Sequence, residues 1–259
     1  MEVSTLFIFG GDKMAEIKFP DLIKAKFVER PNRFVVICEL DNEIDLKKYN
    51  LTSKKVKAHL ADPGRLTGLL TKGRNIWLKY VDKKSRKTNW STVLFENDNR
   101  NSYISMNSTL PNKLAEKAIK EGAISELKEW NHLKSEYTVG NSRFDLLLTN
   151  KNGEKLLLEI KNVNYAEGNT AYFPDAVTER GKKHIEELMK LKEESEYKTA
   201  LMFIAQRDDI NRLKPNYKVD PEFAKTLRQA KKKGLKILAY KTSITLEKIT
   251  LTKNIRLKI

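Results

Sequence analysis

The segment Leu156–Lys161 constrains the fold more than any other part of the chain. Side chains of a β-strand alternate between its two faces, so the aliphatic residues of this run occupy both faces. Glu159 and Lys161 share one of those faces with Leu157. A strand that is apolar on both faces is typical of the covered centre of an α/β sheet. A carboxylate and an ammonium group at the end of such a strand lose hydration unless they pair or face a cleft.

The preceding strand brings a second carboxylate to the same place. Residues 151–153, Lys-Asn-Gly, predict a three-residue hairpin loop with the glycine in the left-handed conformation. If Asn150 pairs with Glu154 to close this loop, Asp145 falls opposite Glu159 on the same face. The register of one hairpin therefore predicts that two acidic side chains meet.

Asp145, Glu159 and Lys161 are expected to converge on one site. Adjacent carboxylates repel each other, which favours a divalent cation between them. Mg²⁺, with Mn²⁺ as the alternative, binds through one or two carboxylates, water and substrate phosphate. In the competing interpretation, Glu159 and Lys161 form an ordinary ion pair and Asp145 is a strand-end residue beside Arg143. The bare spacing is common by chance, but its predicted facing on a hairpin favours the functional interpretation.

The first half of the chain alternates short strand-like runs with turns such as Asp62-Pro63-Gly64. The predicted strands are Lys24–Leu40, Lys55–Ala61, Asn75–Val81, Thr88–Glu96 and Asn101–Met106. About five short strands at this spacing predict a small barrel. An oligonucleotide-binding (OB) type is favoured, and other barrel topologies remain open.

From residue 109 onward, helices and strands alternate, which predicts an α/β domain. The predicted elements are a helix starting near Pro111, strands Ser142–Leu148 and Lys155–Lys161, helix Ala176–Glu194, strand Thr199–Ala205, helix Pro221–Lys233 and strand Leu235–Tyr240. We therefore divide the chain into a barrel domain, 14–108, and an α/β domain, 109–259. Residues 1–13 are interpreted as a tag remnant or a mis-assigned start before Met14.

The charge balance is strongly basic, with 50 Lys and Arg against 34 Asp and Glu and a formal net charge of +16. The excess is concentrated in residues 51–100, with 12 basic against 4 acidic side chains, and in residues 201–259, with 15 against 5. Basic surfaces favour polyanions, because neutralising a phosphate releases counterions. Two basic zones suit a two-part clamp on DNA, although solvated helix faces would give the same count.

Other features exclude several classes of protein. The chain has one cysteine, Cys38, and three histidines, which argues against disulfides, zinc sites and thiol catalysis. No apolar stretch approaches the roughly 20 residues needed to cross a bilayer. No Walker loop, dinucleotide glycine fingerprint or helix-turn-helix motif is present. These features predict a cytoplasmic protein that does not enter the membrane.

Longer motifs run through the chain: Arg30–Phe34, Ala58–Leu66, Arg86–Thr88, Leu110–Asn112, Ile124–Leu127, Ser142–Asp145, Glu159–Val163 and Phe173–His184. Together these motifs resemble those of the sugar fermentation stimulation protein family. The likeness extends from about Phe19 to the C-terminus, and the run 173–184 is its most distinctive part. The resemblance implies an N-terminal OB-like domain and a C-terminal domain of the PD-(D/E)XK nuclease class. It also implies DNA binding and a role in the expression of sugar-utilisation genes in bacteria.

The resemblance also implies roles for individual residues. Asp145 and Glu159 would be metal ligands, and Lys161 would stabilise charge during phosphodiester hydrolysis with Mg²⁺ or Mn²⁺. This nuclease class usually has a further acidic residue on a helix. Glu126 is the first choice for that residue and Glu121 is the reserve.

Eight side chains are candidates for contacts to nucleic acid: Arg33, Arg65, Arg86, Lys87, Arg143, Arg180, Lys182 and His184. His184 lies one turn after Arg180 on a predicted helix, where both could reach a phosphate. Asp175 is predicted to cap that helix and not to bind metal. His59 is slightly favoured as a residue of the barrel core.

Two functions remain open from the sequence. The first is a metal-dependent nuclease acting on DNA. The second is a non-catalytic DNA-binding regulator of sugar-utilisation genes that keeps the nuclease scaffold. The presence of the Asp, the Glu and the Lys together favours the first. A homodimer is a further expectation.

Overall fold

The computed structural model describes residues 14–66, 68–98 and 102–259. The interpretation of residues 1–13 as a tag or a mis-assigned start falls outside the described residues, as does Asn101 of the last predicted barrel strand. The first elements are β1 Glu16–Lys18, β2 Ile23–Asn32, β3 Val35–Leu40, β4 Lys55–His59, β5 Asn75–Tyr80, β6 Trp90–Glu96, β7 Tyr103–Ser105 and α1 Leu110–Lys120.

The remaining elements are β8 Trp130–Val139, β9 Ser142–Asn150, β10 Lys155–Val163, β11 Ala166–Glu167, β12 Thr170–Phe173, α2 Glu179–Glu194, β13 Lys198–Ala205, β14 Arg212–Pro215, α3 Pro221–Lys232, β15 Lys236–Ile244, β16 Lys248–Asn254 and β17 Arg256–Leu257. Short 3₁₀ turns cover Lys47–Tyr49 and Ser125–Leu127.

Strands β2 to β6 form a closed five-stranded barrel. The sheet order is β4-β3-β2-β5-β6-β7, and a parallel pairing of β4 with β6 closes it. The run predicted as one strand, Lys24–Leu40, is an antiparallel hairpin instead. The turn forms because the Asn32 side chain accepts a hydrogen bond from Phe34 N at 2.9 Å, which bends the backbone. The barrel encloses its own apolar core.

The α/β domain is built on a seven-stranded sheet in the order β1-β16-β15-β13-β10-β9-β8. Strand β10 lies inside the sheet, antiparallel to β9 and parallel to β13. Apolar clusters cover both faces, with α1 on one side and α2 and α3 on the other. The predicted central strand is therefore confirmed, and its leucines are almost completely buried.

Several parts of this domain were not predicted, among them strands β8 and β16. Strand β1, placed by sequence in the barrel domain, pairs with β16 at the edge of the large sheet. A four-stranded sheet, β11-β12-β14-β17, lies beside it. These strands are two to four residues long, so side-chain alternation is too brief to reveal them.

The two domains meet through hydrogen-bonded polar side chains. Buried Arg207 forms an ion pair with Asp209 at 2.6 Å, and Asp209 accepts a hydrogen bond from barrel residue Asn97 at 2.8 Å. Gln206 donates to the carbonyl of Asn107 and to the Asn162 side chain. This network fixes the barrel against the end of β10. Among the described residues, no helix combines the length and hydrophobicity needed to span a membrane.

Candidate metal and nucleic-acid site

The β9–β10 hairpin has the predicted register. Asn150 N donates to the carbonyl of Glu154 at 3.2 Å. Gly153 has a φ of 79°, the left-handed conformation that the loop requires. The pairing continues to Leu146 opposite Leu158, and the next position along the same register is Asp145 beside Glu159.

The pairing of β9 with β10 ends at Leu146, and the carboxylate of Asp145 takes over the role of a strand partner for β10. The Asp145 Oδ2 atom accepts a hydrogen bond from Ile160 N at 2.7 Å. The Oδ1 atom accepts one from the Asn112 side chain of α1, also at 2.7 Å. Asp145 is thus held between the middle of β10 and the start of α1. Sequence reasoning did not select Asn112, although it lies in the Leu110–Asn112 motif.

Glu159 is the most buried acidic side chain of the site, with 3% of its surface exposed. Its Oε1 atom accepts hydrogen bonds from Lys161 Nζ at 2.6 Å and from His184 Nδ1 at 2.5 Å. Its Oε2 atom is buried without a hydrogen-bond partner. An unpartnered carboxylate oxygen is costly in an apolar interior, so this atom is suited to a ligand.

The two carboxylates have opposite pKa shifts. Burial and the nearby charge of Glu159 raise the pKa of Asp145 to about 6, despite the hydrogen bonds from Ile160 and Asn112. Burial alone would raise the pKa of Glu159 as well, but the hydrogen bond from His184 and the charge of Lys161 lower it. Glu159 therefore stays ionised, whereas Asp145 lacks sufficient positive charge around it.

Helix α2 delivers His184 to Glu159. The helix begins at Glu179, and its N-cap is Thr178, whose side chain accepts from Gly181 N at 3.0 Å. The prediction that Asp175 caps this helix is therefore wrong. Arg180 Nε donates to His184 Nε2 at 3.4 Å, so the ring proton lies on Nδ1 and is donated to Glu159.

Asp175 instead lies against the barrel. Its Oδ2 atom accepts from Arg65 N at 3.2 Å. On the barrel side, Asp62 accepts from Gly64 N, from Asn162 Nδ2 and from Asn164 Nδ2, at 2.9, 3.2 and 2.8 Å. Sequence reasoning treated Asp62 only as part of a turn.

The structure does not bring Glu126 or Glu121 to the pair Asp145 and Glu159. Glu126 lies on a 3₁₀ turn, where its carboxylate accepts hydrogen bonds from Tyr240 and Asn254. Glu121 follows the end of α1 and pairs with Lys117 one helical turn earlier. Both carboxylates are engaged elsewhere, and the side chain that α1 supplies to the site is an amide.

Four predicted nucleic-acid contacts line one cleft of about 620 Å³: Arg143, Arg180, Lys182 and His184. Arg33 and Arg65 are exposed on neighbouring barrel loops, which Arg30 joins through hydrogen bonds to the carbonyls of Arg33 and Gly64. These six residues therefore lie on α2, on β9 and on two barrel loops, of which the Arg65 loop contacts the α/β domain at Asp175.

The remaining barrel candidates lie on another loop. Arg86 donates to the carbonyl of Thr88 and to the Ser91 side chain, and Lys87 is exposed. The expectation that His59 is a core residue is wrong, because its side chain is on the exposed face of β4. Partial burial and the charges of Arg86 and Lys79 lower the pKa of His59.

The site suits a hard divalent cation. Asp145 and Glu159 repel each other, and both offer oxygen atoms, which Mg²⁺, Mn²⁺ and Ca²⁺ prefer. The unpartnered Oε2 atom of Glu159 provides a free ligand position. In the part of the chain that the structure describes, no three His, Cys, Asp or Glu side chains form a preassembled cage. Water or substrate oxygens would have to complete the coordination.

Comparison with known proteins places the chain in a family. Residues 28–106 match the family model described as "SfsA N-terminal OB domain", and residues 109–248 match "Sugar fermentation stimulation protein RE domain". The predicted OB barrel followed by an α/β domain is thereby confirmed.

Individual relatives agree over nearly their whole length. A sugar fermentation stimulation protein homolog of Shouchella clausii is 40% identical, covering 92% of this chain and 98% of the relative. A homolog of Clostridium tetani is 36% identical, covering 90% and 95%. The solved structure of Pyrococcus furiosus SfsA in complex with Ca²⁺ has a TM-score of 0.82 and 26% identity, covering 95% of this chain and 100% of that one. The chain belongs to the sugar fermentation stimulation protein family.

Proposed function

We propose that this protein is a DNA-binding, divalent-metal-dependent nuclease. Asp145, Glu159 and Lys161 form the site at which it hydrolyses phosphodiester bonds. The observation that carries the proposal is the buried, unpartnered Oε2 atom of Glu159 beside the carboxyl group of Asp145, whose pKa is raised. A relative with the same fold binds Ca²⁺, which supports a divalent cation in this protein too. We propose Mg²⁺ as the physiological ion, with Mn²⁺ as the alternative.

Asp145 and Glu159 would hold the cation. When bound, such an ion lowers the pKa of coordinated water and offsets negative charge on the phosphate. The carbonyl of Ile160, the residue that follows Glu159, is a candidate further ligand. Hydrogen bonds from Ile160 N and Asn112 keep the Asp145 carboxylate in place.

The basic side chains of the site act on the substrate. Lys161 Nζ pairs with Glu159 Oε1 at 2.6 Å, and the Lys161 side chain is only 12% exposed, so water screens its charge weakly. It would stabilise negative charge that develops on the phosphate oxygens. His184 holds Glu159 in position, and Arg180 fixes the proton of His184 on the side of Glu159. His184 and Arg180 are thus positioning residues for the carboxylate.

DNA would be held by basic residues of both domains. Arg143, Arg180 and Lys182 line the cleft beside His184, and Arg33 and Arg65 are exposed on the barrel loops. The proposal extends to Arg86 and Lys87 on the neighbouring barrel loop. The net charge of +16 supports a polyanionic substrate.

Cleavage of supercoiled plasmid and of single-stranded DNA with Mg²⁺ or Mn²⁺ tests the proposal. We expect cleavage by the wild type that Asp145→Asn abolishes and that Lys161→Ala lowers about 100- to 1,000-fold. Lys151→Ala is the matched control, because this lysine is exposed in the loop of the same hairpin. Absence of metal-dependent cleavage, or cleavage that persists in both site variants, would contradict the nuclease.

A non-catalytic DNA-binding regulator of sugar-utilisation genes is the second candidate. It is favoured by the absence, among the described residues, of a third acidic side chain next to Asp145 and Glu159. DNA binding without cleavage, unaffected by Lys161→Ala, would favour it. A cytoplasmic location and a homodimer stay predictions.

A further inference from the structure

A second group of oxygen atoms lies where the barrel meets the α/β domain. The buried carboxylate of Asp62 reaches from the barrel loop, and Asp175 faces it from the segment before α2. A Cβ atom on Gly64 would lie 2.8 Å from Asp175 Oδ2 and 2.9 Å from Asp62 Oδ1. The two carboxylates are therefore near neighbours, and a side chain at position 64 would displace them.

The carboxylates border a small cavity of about 50 Å³. Its wall also includes Asn162, Asn164, Tyr165 and Tyr172. A cavity needs roughly 10–15 Å³ to hold a water molecule, so this one can accommodate an ion together with water. It lies past the end of the Glu159–Lys161 run on β10.

One polar atom of the cavity wall lacks a partner. Asn164 is 7% exposed, and its Nδ2 atom donates to Asp62 Oδ2 at 2.8 Å. That bond fixes the amide orientation, because the carboxylate requires a donor. The Oδ1 atom of Asn164 is buried and has no hydrogen-bond partner. A buried amide oxygen without a donor indicates that a cation or water belongs there.

The charge around the cavity is incompletely balanced. Arg30 is the nearby cation, and it donates to the carbonyls of Gly64, Arg33 and Asp62. One guanidinium group faces two carboxylates. Burial and the charge of Asp175 raise the pKa of Asp62, in spite of the hydrogen bond from Gly64 N. An additional positive charge would relieve this repulsion.

We infer that Asp62, Asp175 and the Oδ1 atom of Asn164 form a second binding site for a hard divalent cation, which joins the barrel to the α/β domain. All three ligands are oxygen atoms, as Mg²⁺, Mn²⁺ and Ca²⁺ prefer, and water completes the coordination. The ligands come from both domains, so the bound ion holds the Asp62-Pro63-Gly64 loop and Arg65 against the α/β domain. This site is separate from the proposed nuclease centre and does not depend on catalysis.

Mn²⁺ is the probe for this site, and equilibrium binding is measured by electron paramagnetic resonance of the free ion. The measurement uses the full chain with Asp145→Asn, which removes the first proposed site. We expect that protein to bind one Mn²⁺, and Asp145→Asn with Asp175→Asn to bind it at least about tenfold more weakly. An asparagine at position 175 still offers an oxygen to Arg65 N, so the loop keeps its hydrogen bond.

The control combines Asp145→Asn with Asp82→Asn, which changes an exposed carboxylate of another barrel loop. It should bind Mn²⁺ like Asp145→Asn alone. Equal binding with and without Asp175→Asn, or no binding to Asp145→Asn, would overturn the second site. Equal binding by the wild type and Asp145→Asn would instead contradict the first site. Circular dichroism checks that each variant is folded.

As a second measurement, the anomalous signal of Mn²⁺ in crystals should lie between Asp62 and Asp175, and its absence there overturns the inference.

Discussion

Replacing Asp145 with asparagine should stabilise the metal-free protein while it abolishes metal binding at the nuclease centre. Burial and Glu159 raise the pKa of Asp145 from an ordinary 3.8 to about 6. A tenfold change in a protonation equilibrium corresponds to about 1.4 kcal/mol. The ionised carboxylate therefore costs the metal-free fold about 3 kcal/mol near pH 8.

The sign of the pH dependence follows from the direction of the shift. A carboxyl group whose pKa is raised on folding is most favourable below its unfolded pKa, and its contribution is lost as pH rises through about 6. Asparagine does not titrate. The free energy of unfolding of Asp145→Asn relative to wild type should thus be near zero at about pH 4 and increase by about 2–3 kcal/mol toward pH 8.

Urea denaturation in the presence of EDTA at several pH values measures this difference. Glu159→Gln is the matched control, because the pKa of Glu159 is lowered on folding. Its ionised form stabilises the protein above the unfolded pKa, so this variant should be less stable than wild type at neutral pH and approach it in acid. Mg²⁺ at about 100 times the dissociation constant of the nuclease centre should add about 2.7 kcal/mol to the stability of the wild type through that centre, and Asp145→Asn should lose this contribution while it keeps the contribution of the second site. A difference for Asp145→Asn that is independent of pH, or that falls toward neutral pH, would refute the reasoning.

Four further outcomes can be measured independently. Lys161→Ala should lower single-turnover DNA cleavage about 100- to 1,000-fold, and an unchanged rate would contradict a role in charge stabilisation. Calorimetric Mg²⁺ affinity should increase as pH rises through about 6, because protons compete for Asp145; an affinity independent of pH would contradict this. Arg65→Ala should reduce the slope of log affinity for DNA against log salt by about 0.9, whereas Arg228→Ala on α3 should leave it unchanged; equal slopes would remove Arg65 from the interface. Thr178→Ala should destabilise the protein by about 1 kcal/mol in thermal unfolding, because α2 loses its N-cap, and an unaltered melting temperature would argue against the cap.

The nuclease centre and the inferred second site differ in how the chain builds them. Asp145, Glu159 and Lys161 come from one hairpin, so their mutual arrangement depends on local pairing. Asp62 and Asp175 are far apart in sequence and meet only where the barrel packs on the α/β domain. Domain contacts should therefore control the second site more strongly than the first.

The sequence by itself determined the centre of the fold. The aliphatic residues of Leu156–Lys161 predicted a covered strand, and residues 151–153 predicted the hairpin register that places Asp145 beside Glu159. Both results are local, since alternation and turn geometry act over a few residues. The barrel was predicted for the same reason, although its first hairpin was merged into one strand and β7, outside the closed barrel, was counted among its strands.

Only the tertiary structure decided which distant side chains meet these strands. It brought Asn112 to Asp145, His184 to Glu159 and Asp62 to Asn164, and it engaged Glu126 with Tyr240. These contacts depend on how helices and loops pack, and strand or helix periodicity carries no information about that packing. Burial then set the electrostatics, because the pKa of a buried carboxyl group rises or falls according to the groups packed around it.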